Sequence, residues 1–368
     1  MISGSEAAWK ATQRPDVIDH SDPAPARPAA SAVPVANSEP GSGPNSGPNH
    51  GLVAVPGPGT ALPPVTVLLG QLNGARFLEA QLSSIAAQTG CHPNLIVSDD
   101  GSSDHGPMLV KAFSTRHPDI GVTRIDGPQR GFAQNFLYLL RSVGPDVPYV
   151  ALCDQDDYWL PGRLARALRM LEAVPPGMPA LYGSRTLVCN ADLTPRKPSP
   201  LHARPPSFCN ALVQSIAGGN TMVLNRAALD LAQAASLEAK KVVSHDWWLY
   251  QIITGAGGRV IYDPEPGVLY RQHAHNMIGA NNSIRGGLIR LGAVLAGRFA
   301  HWNAINIETL TASSHRFTPE NRAILQGFAR MRTAPLPRRL WLMRRLRLHR
   351  QTRKGDLALW LAAMLRRI

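Results

Sequence analysis

The sequence predicts an α/β fold in which helices alternate with the strands of a mostly parallel sheet. Short apolar runs alternate with amphipathic stretches from Val65 onward, and this alternation is typical of right-handed strand–helix–strand units. Two of the apolar runs end directly in acidic clusters, one at Asp99 and the other at Asp154. Because such sheets bind ligands beyond the carboxyl ends of their strands, we expect both clusters to lie at the functional edge.

The spacing of apolar residues predicts the individual elements. In the first half we expect strands at residues 65–69, 95–97, 121–125 and 149–153, and helices at 77–86, 132–143 and 163–173. Further along, the pattern favours strands at 181–188, 221–224, 259–262 and 268–272, with a helix at 245–254. Beyond Gly279 the sequence is helical in pattern and increasingly basic.

Composition divides the chain into three regions. Residues 1–64 carry 12 Pro and 7 Gly, and too few large apolar side chains remain there to offset the entropy of ordering. We therefore expect a disordered arm at 1–64, a catalytic domain at 65–279 and a basic helical region at 280–368.

The charge distribution argues against a nucleic-acid partner. From Arg338 to Ile368 there are ten Lys and Arg residues and one acidic residue, so +9 of the net charge of +13 lies in this segment. The rest of the chain shows no recognisable DNA- or RNA-binding motif. Residues 1–30 lack the apolar stretch of a secretory signal, and the four cysteines show no CxxC spacing. Free thiols in the cytoplasm are the expectation.

The acidic clusters predict a divalent-cation site. Carboxylates that converge at one strand edge repel each other unless a cation joins them, and Mg²⁺ or Mn²⁺ binds one or two carboxylates together with phosphate oxygens. In the D-x-D spacing of Asp154 and Asp156, one side chain can bind metal and the other a ribose hydroxyl. The alternative is that these acids cap the following helices, and for Asp104 both readings stay open.

Two later segments add candidate residues. Asp246 opens a predicted helix beside two tryptophans, where a carboxylate can serve as a general base or as a helix cap. Arg271 and His273 follow the last predicted strand, and either can contact diphosphate oxygens or a metal ion. A structural role for the histidine is the alternative.

In their order along the chain, these motifs resemble those of family 2 glycosyltransferases, in particular the rhamnosyltransferase-like branch. The resemblance covers about residues 65–279. The motifs are Val65–Gly74, Gln81-x-x-Ser84-Ile85-x-x-Gln88-Thr89, Ser98-Asp-Asp-Gly-Ser-Ser-Asp104, Gly131-Phe-x-x-Asn135-Phe136, Asp154-Gln-Asp-Asp-x-Trp159, Gly219-Asn-Thr221, His245-Asp-Trp-Trp248 and Tyr270-Arg-Gln-His273-x-x-Asn276.

The resemblance implies the GT-A fold, a Rossmann-like nucleotide half merged with an acceptor half. It also implies an inverting glycosyltransferase of the hexosyltransferase type, with a nucleotide-sugar donor and a glycan or lipid-linked acceptor, in cell-surface polysaccharide synthesis. Rhamnose is the sugar expected from this branch. Leu72 stands where the family has an aromatic residue, so the preferred nucleotide base stays open.

The resemblance also assigns roles to single residues. Asp246 is the expected catalytic base, and Mg²⁺ or Mn²⁺ the expected cofactor. The expected metal ligands are Asp154, Asp156 and His273. The expected nucleotide-sugar-binding residues are Asn73, Asp99, Asp100, Gly131, Asn135, Asp154 and Arg271.

Two rival functions remain. A phosphohydrolase of the haloacid-dehalogenase type also uses D-x-D after a strand, but it needs Thr or Val at position 158, which is Tyr158 here. A catalytically silent GT-A pseudoenzyme or carbohydrate-binding protein is the other alternative, and the presence of Asp154, Asp156 and Asp246 argues against it.

The basic C-terminal segment predicts contact with an anionic membrane at its cytoplasmic face. Arginines alternate there with leucines and with Trp341 and Trp360, a composition typical of interfacial helices. The alternative is a helical hairpin that packs its leucines on the catalytic domain.

Overall fold

The computed structural model of the protein describes residues 62–273 and 297–368. Most of the predicted arm at 1–64 lies outside these residues. So do residues 274–279 at the end of the predicted catalytic domain, Asn276 among them, and residues 280–296.

Strands and helices alternate through the first part of the described chain. The elements are β1 (Pro64–Gln71), α1 (Ala75–Ala86), β2 (His92–Asp99), α2 (Gly106–Arg116), β3 (Val122–Asp126), α3 (Phe132–Arg141), β4 (Tyr149–Cys153), β5 (Tyr158–Trp159) and α4 (Arg163–Glu172). The central strand β4 consists almost wholly of buried apolar residues, and β1 buries Val65, Val67, Leu68 and Leu69, as expected of strands covered on both faces.

The second part completes the sheet and adds C-terminal helices. Its strands are β6 (Ala180–Cys189), β7 (Lys197–Pro198), β8 (Val223–Asn225) and β9 (Arg259–Arg271). Its helices are α5 (Phe208–Ala211), α6 (Arg226–Ser236), α7 (His245–Gly255), α8 (Arg298–Ala312), α9 (Pro319–Thr333), α10 (Leu336–Arg345) and α11 (Arg353–Met364), with short 3-10 turns at Gly219–Thr221 and Ser314–Arg316.

The described strands form one mixed sheet in the order β3-β2-β1-β4-β8-β6-β9-β5, with β7 paired to β6. β1 runs parallel to β2 and β4, and β2 parallel to β3. The pairs β4–β8, β6–β8 and β5–β9 are antiparallel. The predicted parallel arrangement is confirmed for the first four strands. Beyond them the sheet is mixed, because β6 runs parallel to β9 whereas the pairs that involve β8 and β5 are antiparallel. Apolar periodicity reports burial and not strand direction.

Two predicted boundaries differ from the structure. Residues 259–262 and 268–272, predicted as two strands, belong to the single strand β9, whose pairing with β6 shifts register between Ser184 and Thr186. Pro264 lies in the shifted stretch, and proline lacks the N–H that a regular ladder needs. Thr221 lies in a 3-10 turn, and the strand begins at Val223.

Apolar side chains cover both faces of the sheet. Val67 and Leu69 of β1 belong to the cluster that includes residues of α1, α2 and α4, whereas Leu68 belongs to the cluster that includes residues of α3, α6 and α7. This alternation follows from the period of two residues in a strand. Phe328 of α9 and Leu359 of α11 join the second cluster, so the C-terminal helices share its core.

Two other expectations can be compared with the described residues, and a third cannot. The cysteines are free thiols, with Cys91, Cys153 and Cys189 buried and Cys209 partly buried. In residues 62–273 and 297–368 we find no helix with the length and apolar content needed to cross a lipid bilayer. The domain boundary predicted at residue 279 falls outside the described residues and stays a prediction.

Candidate active site

Three adjacent parallel strands end at one edge of the sheet. β2, β1 and β4 are neighbours and run in the same direction, so the loops that follow Gln71, Asp99 and Cys153 emerge side by side. This edge corresponds to the carboxyl ends of the strands, where α/β sheets bind ligands. Both acidic clusters therefore lie where the sequence predicts them.

Gln155 connects the loop after β4 to the loop after β1. Its Oε1 accepts a hydrogen bond from the Leu72 N–H at 2.8 Å, and its Nε2 donates to the Leu72 carbonyl oxygen at 2.9 Å. Gly74 makes this approach possible, because a Cβ at that position would lie 2.1 Å from Oε1 of Gln155. No local sequence signal marks this contact, since its partners are 83 residues apart.

Asn73 and Asp99, both predicted to bind the donor nucleotide, organise the loops around them. Asn73 has a φ of 50°, a conformation that asparagine tolerates better than most residues. Its Oδ1 accepts from the Ser103 N–H at 2.8 Å, and Oδ1 of Asp99 accepts from the Ser102 N–H at 2.8 Å. Asn73 is exposed and Asp99 partly exposed, so both stay accessible to a ligand.

Asp100 and Gly131 are also predicted to line the nucleotide pocket. The Asp100 side chain contacts the loop that contains Gly131 and leads into α3. Asp100 is buried, and its Oδ1 accepts from the Gln129 N–H at 2.6 Å. Burial raises the pKa of the Asp100 carboxyl, although backbone N–H groups of Gln129 and Gly131 act in the opposite direction. Gly131 has a φ of 87°, which favours glycine. Nucleotide contact by these two residues stays a prediction.

Asn135 and Asp104 are engaged with nearby backbone. Asn135 is buried; its Oδ1 accepts from the Ser98 hydroxyl at 2.5 Å, and its Nδ2 donates to the Ser98 carbonyl oxygen at 3.3 Å. The Asp104 carboxylate accepts from the N–H of Ala75 at 2.8 Å and of Gly106 at 2.9 Å, the first residues of α1 and α2. Asp104 is not the N-cap residue of either helix, these being Gly74 and His105, but its carboxylate occupies the first N–H group of both, in line with the capping alternative.

The three acids after β4 have different surroundings. Asp157 is fully buried, and it accepts hydrogen bonds from the Asn220 amide at 2.5 Å and the Arg271 N–H at 3.1 Å. Asp157 therefore holds the loop to β9. Burial, followed by the charges of Asp157, Asp156 and Asp246, raises the pKa of the Asp154 carboxyl well above its ordinary value. The charge of Asp246 is the smallest of these contributions to the pKa of Asp154.

Asp156 and His273 form a direct contact. Oδ2 of Asp156 lies 2.9 Å from Nε2 of His273, and the two side chains are 21% and 11% exposed. The His273 ring also packs against the ring of Phe77, with centroids 4.9 Å apart. Two of the three predicted metal ligands are therefore neighbours at a partly open position.

Arg271 holds several segments of this region together. Its Nε donates to the Asp156 carbonyl oxygen at 2.8 Å, and its guanidinium also donates to the Ala191 carbonyl oxygen. The guanidinium carbon lies 4.5 Å from the centroid of the Phe77 ring. Arg271 is buried, so its positive charge stands directly behind the acidic loop. The predicted contact with diphosphate stays a prediction.

Asp246 lies in the first turn of α7 and is partly exposed; its Oδ1 accepts from the Trp247 N–H at 2.7 Å. Its neighbour His245 is buried and stacks on Phe136, with ring centroids 3.9 Å apart. Burial lowers the pKa of His245 to about 4, although the Asp246 charge acts in the opposite direction. His245 is therefore neutral near pH 7 and anchors the start of α7. The sequence does not predict this packing role.

No group of three or more His, Cys, Asp or Glu side chains in residues 62–273 and 297–368 is arranged to hold a metal ion by itself. The predicted ligands Asp154, Asp156 and His273 thus do not form a closed three-ligand cluster. Two ligands with further positions left to substrate or water fit Mg²⁺, which keeps several waters and binds substrate phosphates.

Comparisons with known proteins are consistent with these features. The family model for family 2 glycosyl transferases matches residues 68–212. The chain is 27% identical over 228 residues to the dTDP-rhamnosyl transferase RfbG of Shigella flexneri, a match that covers 60% of this chain and 77% of that protein. It is 26% identical over 208 residues to an uncharacterised protein of Mycobacterium tuberculosis, covering 56% of this chain and 58% of that protein.

Among solved structures, a mannosyltransferase from Pyrobaculum calidifontis in complex with GDP-Man and Mn²⁺ aligns with 85% of this chain and 89% of its own. The TM-score is 0.45 and the sequence identity 19%.

The mixed sheet, the D-x-D motif after β4 and the matched family model together define an enzyme of the GT-A glycosyltransferase class. Residues 68–212 match the family 2 glycosyl transferase model, and the chain is similar in sequence to a dTDP-rhamnosyl transferase.

Proposed function

We propose that the enzyme moves rhamnose from dTDP-rhamnose to a hydroxyl of a saccharide or lipid-linked acceptor, with inversion, in cell-surface polysaccharide synthesis. The observation that carries the proposal is the Asp156–His273 pair at 2.9 Å, in the loop where the D-x-D motif follows β4. The choice of rhamnose is supported by the similarity to the dTDP-rhamnosyl transferase of Shigella flexneri.

The Asp156–His273 pair fits two ligands of one divalent cation. Oδ2 of Asp156 and Nε2 of His273 lie 2.9 Å apart, so both would reach the same cation, and Mg²⁺ is commonly held by one or two carboxylates together with substrate phosphates. Asp154 supplies a second carboxylate from the same loop. When bound, Mg²⁺ or Mn²⁺ would neutralise the charge that develops on the leaving diphosphate.

The positive charge of Arg271 lies next to the loop that contains Asp156. Arg271 is buried behind Asp156 and donates to its carbonyl oxygen. A preorganised charge of this kind favours a transition state in which negative charge develops nearby. We therefore assign Arg271 both a structural role in the loop and an electrostatic role toward the diphosphate.

Asp246 is assigned as the general base. Its carboxylate accepts the proton of the acceptor hydroxyl while the hydroxyl oxygen forms a bond to the anomeric carbon. The bond from that carbon to the diphosphate oxygen breaks in the same displacement, so the configuration inverts and no covalent enzyme intermediate forms. The position of Asp246 at the start of α7, anchored by the buried His245, keeps the base fixed.

The donor assignment is tested by a ligand panel. We expect dTDP-rhamnose with Mn²⁺ to raise the melting temperature more than UDP- or GDP-sugars do, because ligands that bind the folded state stabilise it by mass action. Product analysis by mass spectrometry should then show release of dTDP and transfer of a deoxyhexose. Transfer of a hexose or amino sugar, with none from dTDP-rhamnose, would remove the rhamnose assignment. Donor binding without turnover on any acceptor would favour the pseudoenzyme.

A further inference from the structure

Helix α11 carries a row of apolar side chains on its solvent face. Leu357 is 71% exposed, and Leu361, Met364 and Leu365 are 40%, 44% and 48% exposed. Spacings of four, seven and eight residues place them along one side of the helix. The other side buries Leu359 in the core of the domain. The helix is thus apolar toward the protein and also toward solvent.

Helix α10 presents an aromatic residue among arginines. Trp341 is 55% exposed, and helical spacing places Arg338, Arg344 and Arg345 around it on the same face. The Arg345 guanidinium lies 5.1 Å from the centroid of the Trp341 ring. Tryptophan beside basic residues is enriched where an apolar phase meets water.

The exposed charges of this region are all positive. The single acidic residue beyond Arg338, Asp356, turns toward the body of the protein, where it accepts from Arg204 Nη1 at 2.7 Å and from the Arg350 N–H at 2.6 Å. The exposed basic residues are Arg338, Arg344, Arg345, Arg347, Arg353, Lys354, Arg366 and Arg367.

We propose that the outward faces of α10 and α11 dock on an anionic lipid membrane. The bilayer interface offers acyl chains to the leucines and Trp341, and phosphates to the arginines. A nucleic acid would satisfy the arginines and leave the apolar row exposed. A second copy of the chain would cover the apolar row and bring a like positive charge against it, which is unfavourable.

The inward faces of the same helices have a different function. Met343 and Leu359 are buried in the domain core, and the buried Arg339 donates to the carbonyl oxygens of Ala363 at 2.9 Å and Ala334 at 2.5 Å. Packing on the domain, one of the two predicted roles of this segment, therefore occurs on the inward face. Membrane contact, the other predicted role, is proposed for the outward face. Deleting the helices would remove core residues, so the surface has to be tested by substitutions on the outward face.

The test compares two triple variants of the full chain. The outward variant is Leu357→Ser/Leu361→Ser/Leu365→Ser. The matched control is Met108→Ser/Leu201→Ser/Leu237→Ser, which alters residues that are 72%, 49% and 78% exposed elsewhere on the surface. Both should keep the wild-type melting temperature. Binding is measured by co-sedimentation with vesicles of phosphatidylcholine alone, or of phosphatidylcholine with phosphatidylglycerol, in the absence of donor. The result is therefore independent of the proposed donor.

We expect wild type and control to bind only the anionic vesicles, and binding to weaken as NaCl rises from about 0.1 M to 0.5 M because exposed charges are screened. The outward variant should lose affinity by about tenfold or more, since three leucines no longer enter the interface. Equal binding of the two variants, or no wild-type binding at low salt, would overturn the proposal. So would a wild-type dimer in lipid-free ultracentrifugation that the outward variant converts to a monomer.

Discussion

Replacing Asp104 with alanine removes a carboxylate that serves two helices. Its oxygens accept from the Ala75 N–H at 2.8 Å and the Gly106 N–H at 2.9 Å, and these residues begin α1 and α2. Loss of one helix cap costs about 1 kcal/mol, so loss of both should lower the free energy of unfolding by about 2 kcal/mol. For a domain of this size we expect the melting temperature to fall by about 4–8 °C.

The assay is thermal and urea unfolding, with Asp104→Asn as the matched variant. Asparagine keeps one acceptor oxygen, so it should lose about half as much stability as Asp104→Ala. Turnover of both variants should stay near wild type well below the melting temperature, because both carboxylate oxygens are engaged with backbone N–H groups. An unchanged melting temperature with lost turnover would refute the cap and make Asp104 a ligand-binding residue.

Two further predictions concern the single substitutions Asp246→Asn and Asp263→Asn. Asp246→Asn should lower kcat by roughly 10²–10⁴ with donor affinity kept, and an equal loss of donor affinity in calorimetry would contradict the base assignment. Burial of Asp263 opposes its charge, but hydrogen bonds from Arg166, the Glu265 N–H and Tyr182 outweigh burial and lower its pKa. The ionised Asp263 carboxylate should therefore stabilise the fold fully above about pH 4, and this stabilisation should be lost as the pH falls through the lowered pKa. The melting-temperature difference between wild type and Asp263→Asn should shrink on acidification, and a growing difference would contradict this account.

The early strands could be predicted because each is an apolar run that ends in a polar cluster. β1, β2 and β4 emerge at or near their expected positions, and with them the functional edge. Helix α2 was not predicted: its buried residues are few, Val110 and Phe113 among them, and its first turn contains Pro107. The direction of the strands beyond β4 could not be predicted either, because it depends on the pairing partner and not on the residue pattern within a strand.

The residues of the candidate site were easier to name than their contacts. Asp154 and Asp156 could be singled out from acids at a strand end, whereas the link from Gln155 to Leu72 spans 83 residues. The bond between Asp157 and Asn220 spans 63 residues. Such contacts depend on tertiary packing, and no local pattern of residue types encodes them.

The basic C-terminal segment shows the same limit. Its sequence supports both membrane contact and packing on the domain, because arginine and leucine suit either. Only the structure separates Leu357, which is 71% exposed, from Leu359, which is 1% exposed, two residues further along the same helix.

The role of Asp156 is the most direct test of the proposed mechanism. With the donor that stabilises the protein most, we expect nucleoside diphosphate release to depend on Mn²⁺ or Mg²⁺ and to stop when the metal is chelated. Asp156→Ala should lower this rate by about 100-fold or more without a change in melting temperature, and His273→Gln should raise the metal concentration needed for half-maximal rate. Near-normal release by Asp156→Ala at saturating donor, or full activity of the wild type in excess chelator, would contradict the assignment of this pair to the metal.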